Sequence, residues 1–327
     1  PLDLIIALDR SGSMTRGGPY GANDDRGDCN IDEDPVVESK WCWAINALMD
    51  FFEADTSVGM GAALLTYAGS EGDCEAYDTM DVDFGIIAGG TDDPLLADLE
   101  TAMNDANPQG GTPTERALET LVEQTLAREQ ANEASGDTDR RVIGILVTDG
   151  EPQNCNTNEN DLNDIVVQHF TDNGIPTFFI GMDGADFSGL ETMADSASAA
   201  AHDDYCNADV GSPCYHYDVG DGNGDVLANA LEAIRTSVIG CQFAVPPAEA
   251  GLVDLSTIEV VFTPSEGATP ETLPRVMGGE SNCGGADGYY TDDDETPTTI
   301  LLCPETCSRA EADPTSSVSI ELLCEGA

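Results

Sequence analysis

The sequence predicts an α/β protein: a doubly wound, mostly parallel sheet flanked by helices, followed by a small disulfide-stapled β domain. Two observations carry this prediction. Before residue 241, strand-like apolar runs alternate with segments whose apolar residues recur at helical spacing, which is typical of parallel strands joined by helical crossovers. From Cys241 onward the runs are short, β-prone and separated by Pro, Gly and Asp, which is typical of an all-β segment. We therefore place an α/β domain at residues 1–240 and a Cys-rich β domain at residues 241–327.

Continuous apolar runs predict four strands of the first domain that are buried on both faces. They are LDLIIALD at 2–9, VGMGAALLTYA at 58–68, RRVIGILVTDG at 140–150 and IPTFFIGM at 175–182. Helical periodicity predicts helices in the segments 36–54, 93–106, 113–131, 163–174 and 225–240. In the second domain, strands are predicted in the β-prone runs 256–264, 287–292, 298–304 and 317–324, with no strong helical pattern. The Pro pair of CQFAVPPAEAG, at 241–251, marks the boundary.

Net charge is the most extreme property of the chain. Asp and Glu number 63 against 11 Lys and Arg, which gives a formal net charge of -52, and Lys40 is the only lysine. Such a surface repels phosphate backbones and anionic lipid, so the charge argues against nucleic-acid binding. Two interpretations of the acidic surface stay open: solubility in salty surroundings, where salt screens self-repulsion, and carboxylates that hold divalent cations.

Cysteine usage indicates where the protein resides. Eleven cysteines in so acidic a chain indicate an oxidising compartment, because a reducing cytosol would leave them as thiols. The sequence has no apolar stretch long enough to span a membrane, and a chain that begins at Pro1 without Met is expected to be a processed or trimmed form. We therefore expect a secreted or cell-surface protein without a direct membrane span.

Oxygen-bearing side chains follow the predicted strands at one sheet edge. Asp9, Ser11 and Ser13 stand at the end of the first strand, and Asp149 stands at the end of another. Thr112 follows a Gly pair just ahead of a predicted helix. In open α/β sheets ligands bind outside the carboxyl ends of the strands, so we expect these side chains to lie together. Carboxylate and hydroxyl oxygens form a hard ligand set suited to Mg²⁺, Mn²⁺ or Ca²⁺.

Three short motifs contain these residues: D-x-S-G-S at 9–13, GGTPT at 110–114 and TDG at 148–150. Together they resemble the metal-ion-dependent adhesion site of von Willebrand factor type A domains, a likeness that covers roughly residues 1–240. The resemblance implies one coordination position left for an acidic group of a partner. It also implies that the ion is held, directly or through water, by Asp9, Ser11, Ser13, Thr112 and Asp149. The second domain, with LCPETC at 302–307, resembles an extension found on some exported bacterial proteins of this family.

Two further acidic stretches are candidate calcium loops, since each offers oxygen ligands at alternating positions. The ligands of the first are Asp28, Asn30, Asp32 and Asp34, and those of the second are Asp221, Asn223 and Asp225. The second departs from the helix–loop–helix calcium pattern because Val226 replaces the turn glycine. A solvated or helix-capping loop is the favoured interpretation of both, with additional Ca²⁺ as the alternative.

The cysteine spacing offers two short disulfides. Cys29–Cys42 and Cys206–Cys214 close the shortest loops, and an odd total of eleven leaves at least one thiol free or paired outside the chain. Zinc is the rival interpretation for the mixed donors His202, Cys206, Cys214 and His216. The exported context favours the Cys206–Cys214 disulfide over this zinc site.

The sequence carries no nucleophile-elbow, zinc-protease or phosphate-loop motif, so catalysis has no support in it. We expect an exported, non-enzymatic binding or adhesion module. Its divalent cation would engage an acidic group of a protein ligand or a neighbouring subunit. Two alternatives stay open: a structural subunit of a Ca²⁺-stabilised surface fibre or layer, and a metal-dependent hydrolase.

Overall fold

The computed structural model describes residues 2–15, 39–69, 74, 76–90, 92–137, 140–197, 199, 201–220, 224–239, 242–244, 258–264, 268–279, 282–291, 299–312 and 316–322. They divide into two compact units, one of residues 2–234 and one of the residues from 235 onward. Each unit is described by itself.

A six-stranded sheet forms the centre of the first unit. Its strands are β1 (Leu2–Asp9), β2 (Gly61–Tyr67), β3 (Val82–Ile86), β4 (Arg141–Thr148), β5 (Thr177–Met182) and β6 (Tyr217–Gly220). Their order is β3-β2-β1-β4-β5-β6. Neighbouring strands run parallel except at one edge, where β3 pairs antiparallel with β2.

Helices separate most of these strands along the chain. They are α1 (Lys40–Glu53), α2 (Pro94–Asp105), α3 (Thr114–Ser135), α4 (Glu159–Asn173) and α5 (Phe187–Ser196). A further helix, α6 (Gly224–Ile239), contains the point at which the two units divide. The predicted doubly wound, mostly parallel sheet flanked by helices is therefore confirmed.

Burial explains why the apolar runs form the central strands. All eight residues of β1 are buried, because a strand with neighbours on both sides and helices on both faces has no solvated side. Strands β3 and β6 and helix α5 were not predicted from the sequence. Strand β3 has only one buried residue in five, β6 has only four residues, and α5 has only ten, so each is too short or too polar to give a clear period.

A buried charge cluster lies at the amino end of β1. Asp3 is 0% exposed, and its two carboxylate oxygens accept hydrogen bonds from Arg140 Nε at 2.8 Å, from Arg128 Nε at 2.7 Å and from Asn132 Nδ2 at 3.1 Å. Burial opposes ionisation, but the hydrogen bonds from Arg140 and Arg128 outweigh it and hold the pKa of Asp3 below its usual value. This cluster fastens α3 to the sheet edge opposite Asp9.

The second unit is built from short antiparallel strands and one helix within its described residues. The strands are β7 (Gln242–Ala244), β8 (Ile258–Thr263), β9 (Glu271–Leu273), β10 (Tyr289–Thr291), β11 (Thr299–Leu302) and β12 (Ser317–Leu322). They form two sheets, β10-β11-β7 and β12-β8-β9. Alternate residues of β8 are buried, and the Cys283–Cys303 disulfide ties the unit together. The predicted stapled β domain is confirmed, with the addition of an unpredicted nine-residue helix, α7 (Pro304–Ala312).

Disulfides also link segments of the first unit. The predicted Cys206–Cys214 bond is confirmed, with Cα atoms 5.6 Å apart, and Cys74–Cys155 is a further bond that the spacing does not predict. Cys42 is oxidised as well, but its predicted partner Cys29 lies outside the described residues, so that pair stays a prediction. Disulfides are typical of exported proteins. Among the described helices, none has the length and apolar character that a membrane crossing requires.

Candidate metal centre

The five predicted metal ligands lie on three loops at the carboxyl edge of the first unit's sheet. Asp9 is the last residue of β1, and Asp149 directly follows β4. Because β1 and β4 are parallel neighbours, both chain segments leave the sheet at the same edge. Ser13 lies in a turn of 3₁₀ helix that follows β1, and Thr112 lies two residues before the start of α3.

A chain of hydrogen bonds connects four of these residues. The backbone N–H of Ser11 donates to Asp9 Oδ1 at 2.7 Å. The hydroxyl oxygens of Ser11 and Ser13 are 2.8 Å apart, and Ser13 Oγ donates to Asp149 Oδ1 at 2.7 Å. The loop that follows β1 and the loop that follows β4 therefore meet through Ser13.

Glycines bring the second loop to the same place. The N–H of Gly12 donates to the carbonyl of Gly110 at 3.0 Å, which joins the loop of Thr112 to that of Ser13. A Cβ atom added at Gly150 would lie 3.1 Å from Thr112 Oγ1 and 3.7 Å from Ser13 Oγ. The glycine of TDG thus leaves room for the two hydroxyls beside the backbone of the third loop.

Two buried carboxylates, Asp9 and Asp149, concentrate negative charge at the site. Asp9 is 0% and Asp149 1% exposed. Burial, together with the negative charge of Asp149, raises the pKa of Asp9 to about 7, against the opposing effect of hydrogen bonds from Ser11 and Thr148. Two buried carboxylates with neighbouring hydroxyls are a set of hard oxygen donors that fits Mg²⁺, Mn²⁺ or Ca²⁺.

Two residues outside the predicted set lie beside Asp9. The hydroxyl of Thr148 donates to Asp9 Oδ2 at 2.8 Å. Tyr67, opposite Asp9 on β2, is buried beside the site. Burial and the negative charge of Asp9 raise its pKa well above the ordinary tyrosine value.

Lys40 lies at the candidate site but was not among the residues predicted from the sequence. Its Nζ atom lies 2.8 Å from Asp149 Oδ2, and its side chain is only 6% exposed. The ammonium also donates to the carbonyl oxygen of Asp183. Lys40 and Asp149 are 109 residues apart in sequence, so the sole signal available was that Lys40 is the only lysine of the chain.

The segment after Asp149 is fastened to the Thr112 loop. The N–H of Gln153 donates to the carbonyl of Thr112 at 2.8 Å, and Asn154 Nδ2 donates to the carbonyl of Gly69 at 3.2 Å. The Cys74–Cys155 disulfide lies directly beyond these contacts in the chain. Crosslinks between all these loops limit how far the candidate ligands can separate.

The candidate calcium loops lie mostly beyond the described residues. The candidate ligands outside the described residues are Asp28, Asn30, Asp32 and Asp34 in the first loop and Asp221 and Asn223 in the second. Asp225 is described and lies in the first turn of α6, where a carboxylate complements the helix dipole. Calcium binding by either loop stays a prediction.

The zinc interpretation is wrong, since both of its sulfur atoms are engaged in a disulfide. Donor atoms of His202, Cys206 and Cys214 do lie within 4.8 Å of one another, but Cys206 and Cys214 are bonded to each other. His216 Nδ1 lies 2.6 Å from Glu191 Oε2, and its Nε2 accepts from the N–H of Asn207 at 3.2 Å. No thiolate is therefore left for a metal in this group.

A family-model match covers most of the first unit, including four of the six strands of its sheet. The family model of the von Willebrand factor type A domain matches residues 45–209. This range includes Thr112 and Asp149 and begins after the D-x-S-G-S motif at 9–13. No curated protein matches the chain significantly.

Proposed function

This chain belongs to the von Willebrand factor type A domain family, and we propose that it is an exported, non-enzymatic binding module that engages an acidic group of a protein partner through a divalent cation. Domains of this family commonly serve adhesion and protein–protein interaction, and they often bind a divalent cation. One observation carries the proposal: oxygen donors from three loops meet at one sheet edge. These donors belong to Asp9, Ser11, Ser13, Thr112 and Asp149.

Each donor has a distinct part in this proposal. Ser11, Ser13 and Thr112 would bind through neutral hydroxyl oxygens, whereas Asp9 and Asp149 would contribute negative charge, directly or through water. A bound cation supplies a local positive charge that accepts one more oxygen from outside the chain. The hydrogen bonds among the loops orient the donors before binding, so little ordering is required when the ion arrives.

The overall charge restricts where an acidic partner can bind. A formal net charge of -52 repels an acidic protein at long range, and salt screens that repulsion beyond about 8 Å at physiological ionic strength. Attraction at the metal centre is therefore short-ranged and depends on the cation. The proposal predicts recognition that EDTA abolishes.

Metal binding is tested by calorimetric titration with Mg²⁺, Mn²⁺ and Ca²⁺. Thr112→Val replaces the hydroxyl by a methyl group of similar size and should weaken binding at least about tenfold, as losses of metal-site hydrogen-bonding groups do. Thr177→Val is the matched control, because Thr177 is also buried but begins β5 at the amino edge of the sheet. Equal affinities of the two variants for each ion would contradict the proposed ligand set.

The open coordination position is tested with acetate, the simplest carboxylate probe. With Mn²⁺ kept well below one equivalent of the protein, so that little free ion remains, the carboxyl carbon of acetate should relax faster than in the same protein loaded with Mg²⁺, because the paramagnetic ion contacts the probe. Unenhanced relaxation would contradict an open position. Assembly in Ca²⁺ that EDTA reverses, measured by light scattering, would instead favour a structural subunit of a fibre or layer.

A further inference from the structure

Lys40 is a buried lysine at the amino end of a helix, and both the burial and the helix dipole are electrostatically unfavourable for an ammonium group. It is the first residue of α1, directly after the N-cap Ser39, whose side chain accepts from the N–H of Cys42 at 3.2 Å. The amino end of a helix carries partial positive charge and favours acidic side chains. Burial of an ammonium is costly unless it is paired. Lys40 is nevertheless buried, so the compensating interaction has to come from outside its own helix.

That interaction is with the metal centre. Lys40 Nζ lies 2.8 Å from Asp149 Oδ2, while the other oxygen, Oδ1, accepts from Ser13 Oγ at 2.7 Å. The carboxylate of Asp149 therefore presents one oxygen to the hydroxyl cluster and the other to a fixed cation. The carbonyl of Asp183 holds the ammonium in this place.

We propose that Lys40 is a resident counter-charge of the metal centre, which weakens the binding of the divalent cation and leaves the loaded site with a net positive charge for an acidic partner. The inference rests on the proposed metal centre. In the loaded site the cation keeps both carboxylates ionised, so Asp9 and Asp149 contribute two negative charges and Lys40 contributes one positive charge. A divalent ion then gives the site one net positive charge, which a partner carboxylate neutralises. Without Lys40 the loaded site would be neutral, and a carboxylate would make it negative.

The test removes the charge while keeping the unbranched stem of the side chain. Lys40→Met should bind Mg²⁺ and Ca²⁺ about tenfold or more tightly than the wild type in calorimetric titration, because like charges no longer repel across a poorly solvated site. Arg309→Met is the control for a change in total charge. Arg309 pairs with Asp287 at 2.7 Å and Glu271 at 3.0 Å in the second unit, and its replacement should leave the affinity within about twofold of the wild type.

The outcomes separate this inference from the proposed function. Tighter binding by Lys40→Met alone supports the role of Lys40. Equal affinities for the wild type and Lys40→Met would overturn that role and leave the metal centre standing. Failure of both proteins to bind either ion would overturn both proposals.

A second measurement uses the wild type and does not depend on the folding of a variant. Because Lys40 is the only lysine, protein labelled with ¹⁵N-lysine should give one side-chain ammonium resonance. Mg²⁺ should shift this Nζ resonance in the wild type, and the same Mg²⁺ concentration should shift it less in Thr112→Val. An unshifted resonance at Mg²⁺ concentrations that saturate the calorimetric titration would overturn the inference.

Discussion

Thr148 and Asp9 are joined across the β1–β4 pair by a hydrogen bond of 2.8 Å from the threonine hydroxyl to Asp9 Oδ2. The other carboxylate oxygen of Asp9 accepts from the N–H of Ser11 at 2.7 Å. Both oxygens are therefore oriented by residues on the two central strands and the first loop. The direction in which Asp9 faces is set before any ion binds.

Loss of the Thr148 hydroxyl should weaken the metal centre without disturbing the sheet. Thr148→Val keeps the shape of a buried strand residue. It removes the hydrogen bond to Asp9 and the one that the Thr148 hydroxyl accepts from the N–H of Gly150 at 3.3 Å. Removal of such an orienting partner typically lowers metal affinity about 10- to 100-fold. Calorimetric titration with Mg²⁺ measures the change against Thr177→Val. Unchanged affinity would show that the Ser11 N–H alone fixes Asp9.

Metal removal should lower the thermal stability of the first unit. A ligand that binds only the folded state stabilises it by about 2.7 kcal/mol at a hundredfold excess over its dissociation constant. EDTA should therefore lower the melting temperature by several degrees relative to excess Mg²⁺, as followed by circular dichroism. Ser13→Ala should show a much smaller difference, because it lacks a hydroxyl donor. Identical melting of the wild type in EDTA, Mg²⁺ and Ca²⁺ would argue against a metal centre.

Asp149→Ala should destabilise the fold in EDTA as well as impair metal binding. The substitution leaves the ammonium of Lys40 buried without its carboxylate partner, and breaking a buried ion pair in this way typically costs about 3–5 kcal/mol. The double variant with Lys40→Met should recover part of the loss, because no charge is then left unpaired. Urea unfolding of the two single variants and the double variant measures the coupling. Additive losses would show that the pair contributes nothing to stability.

The Asp3 cluster should make stability depend on pH in a defined window. Asp3→Asn leaves Arg140 and Arg128 without their buried carboxylate and should cost about 3–5 kcal/mol at pH 7. Since the folded pKa of Asp3 is lowered, the stabilisation is complete above the unfolded value of about 3.9 and is lost as pH falls through the folded pKa. The gap between wild type and Asp3→Asn in urea unfolding should therefore narrow below about pH 4. A gap that stays constant down to pH 2 would contradict this.

The Cys74–Cys155 disulfide should contribute to both stability and metal affinity. It joins residues 81 apart, and closing a loop of that length stabilises a protein by roughly 4 kcal/mol in the chain-entropy account. Replacing both cysteines by Ser should lower the unfolding free energy by up to this amount and weaken Mg²⁺ binding. The control is the same double substitution at Cys283–Cys303, whose loss should leave Mg²⁺ affinity unchanged. Equal effects of the two pairs on affinity would contradict a local role of Cys74–Cys155.

Much of the fold could be predicted because its signals are local. Strand β1 is an unbroken apolar run, and α3 is a long helix that ends at Ser135 and is capped by Gly136 in a left-handed conformation with φ of 78°. An unbroken apolar run predicts a strand buried on both faces and apolar residues at helical spacing predict a helix, and neighbouring residues set both patterns by themselves. Strand β3 was missed for the same reason: it is half exposed at the sheet edge, and its pairing with β2 comes from the tertiary structure.

The sequence by itself determined which residues leave the sheet at its carboxyl edge, because parallel strands joined by helical crossovers all end on the same side. This rule alone predicts that Asp9 and Asp149 lie at one edge of the sheet. Only the tertiary structure decided what stands against them. Lys40 reaches Asp149 across 109 residues and Arg140 reaches Asp3 across 137, and no local period encodes such pairs. They form because burial makes an unpaired charge costly. Which partners meet depends on where α1 packs, for Lys40, and on the pairing of β1 with β4, for Arg140.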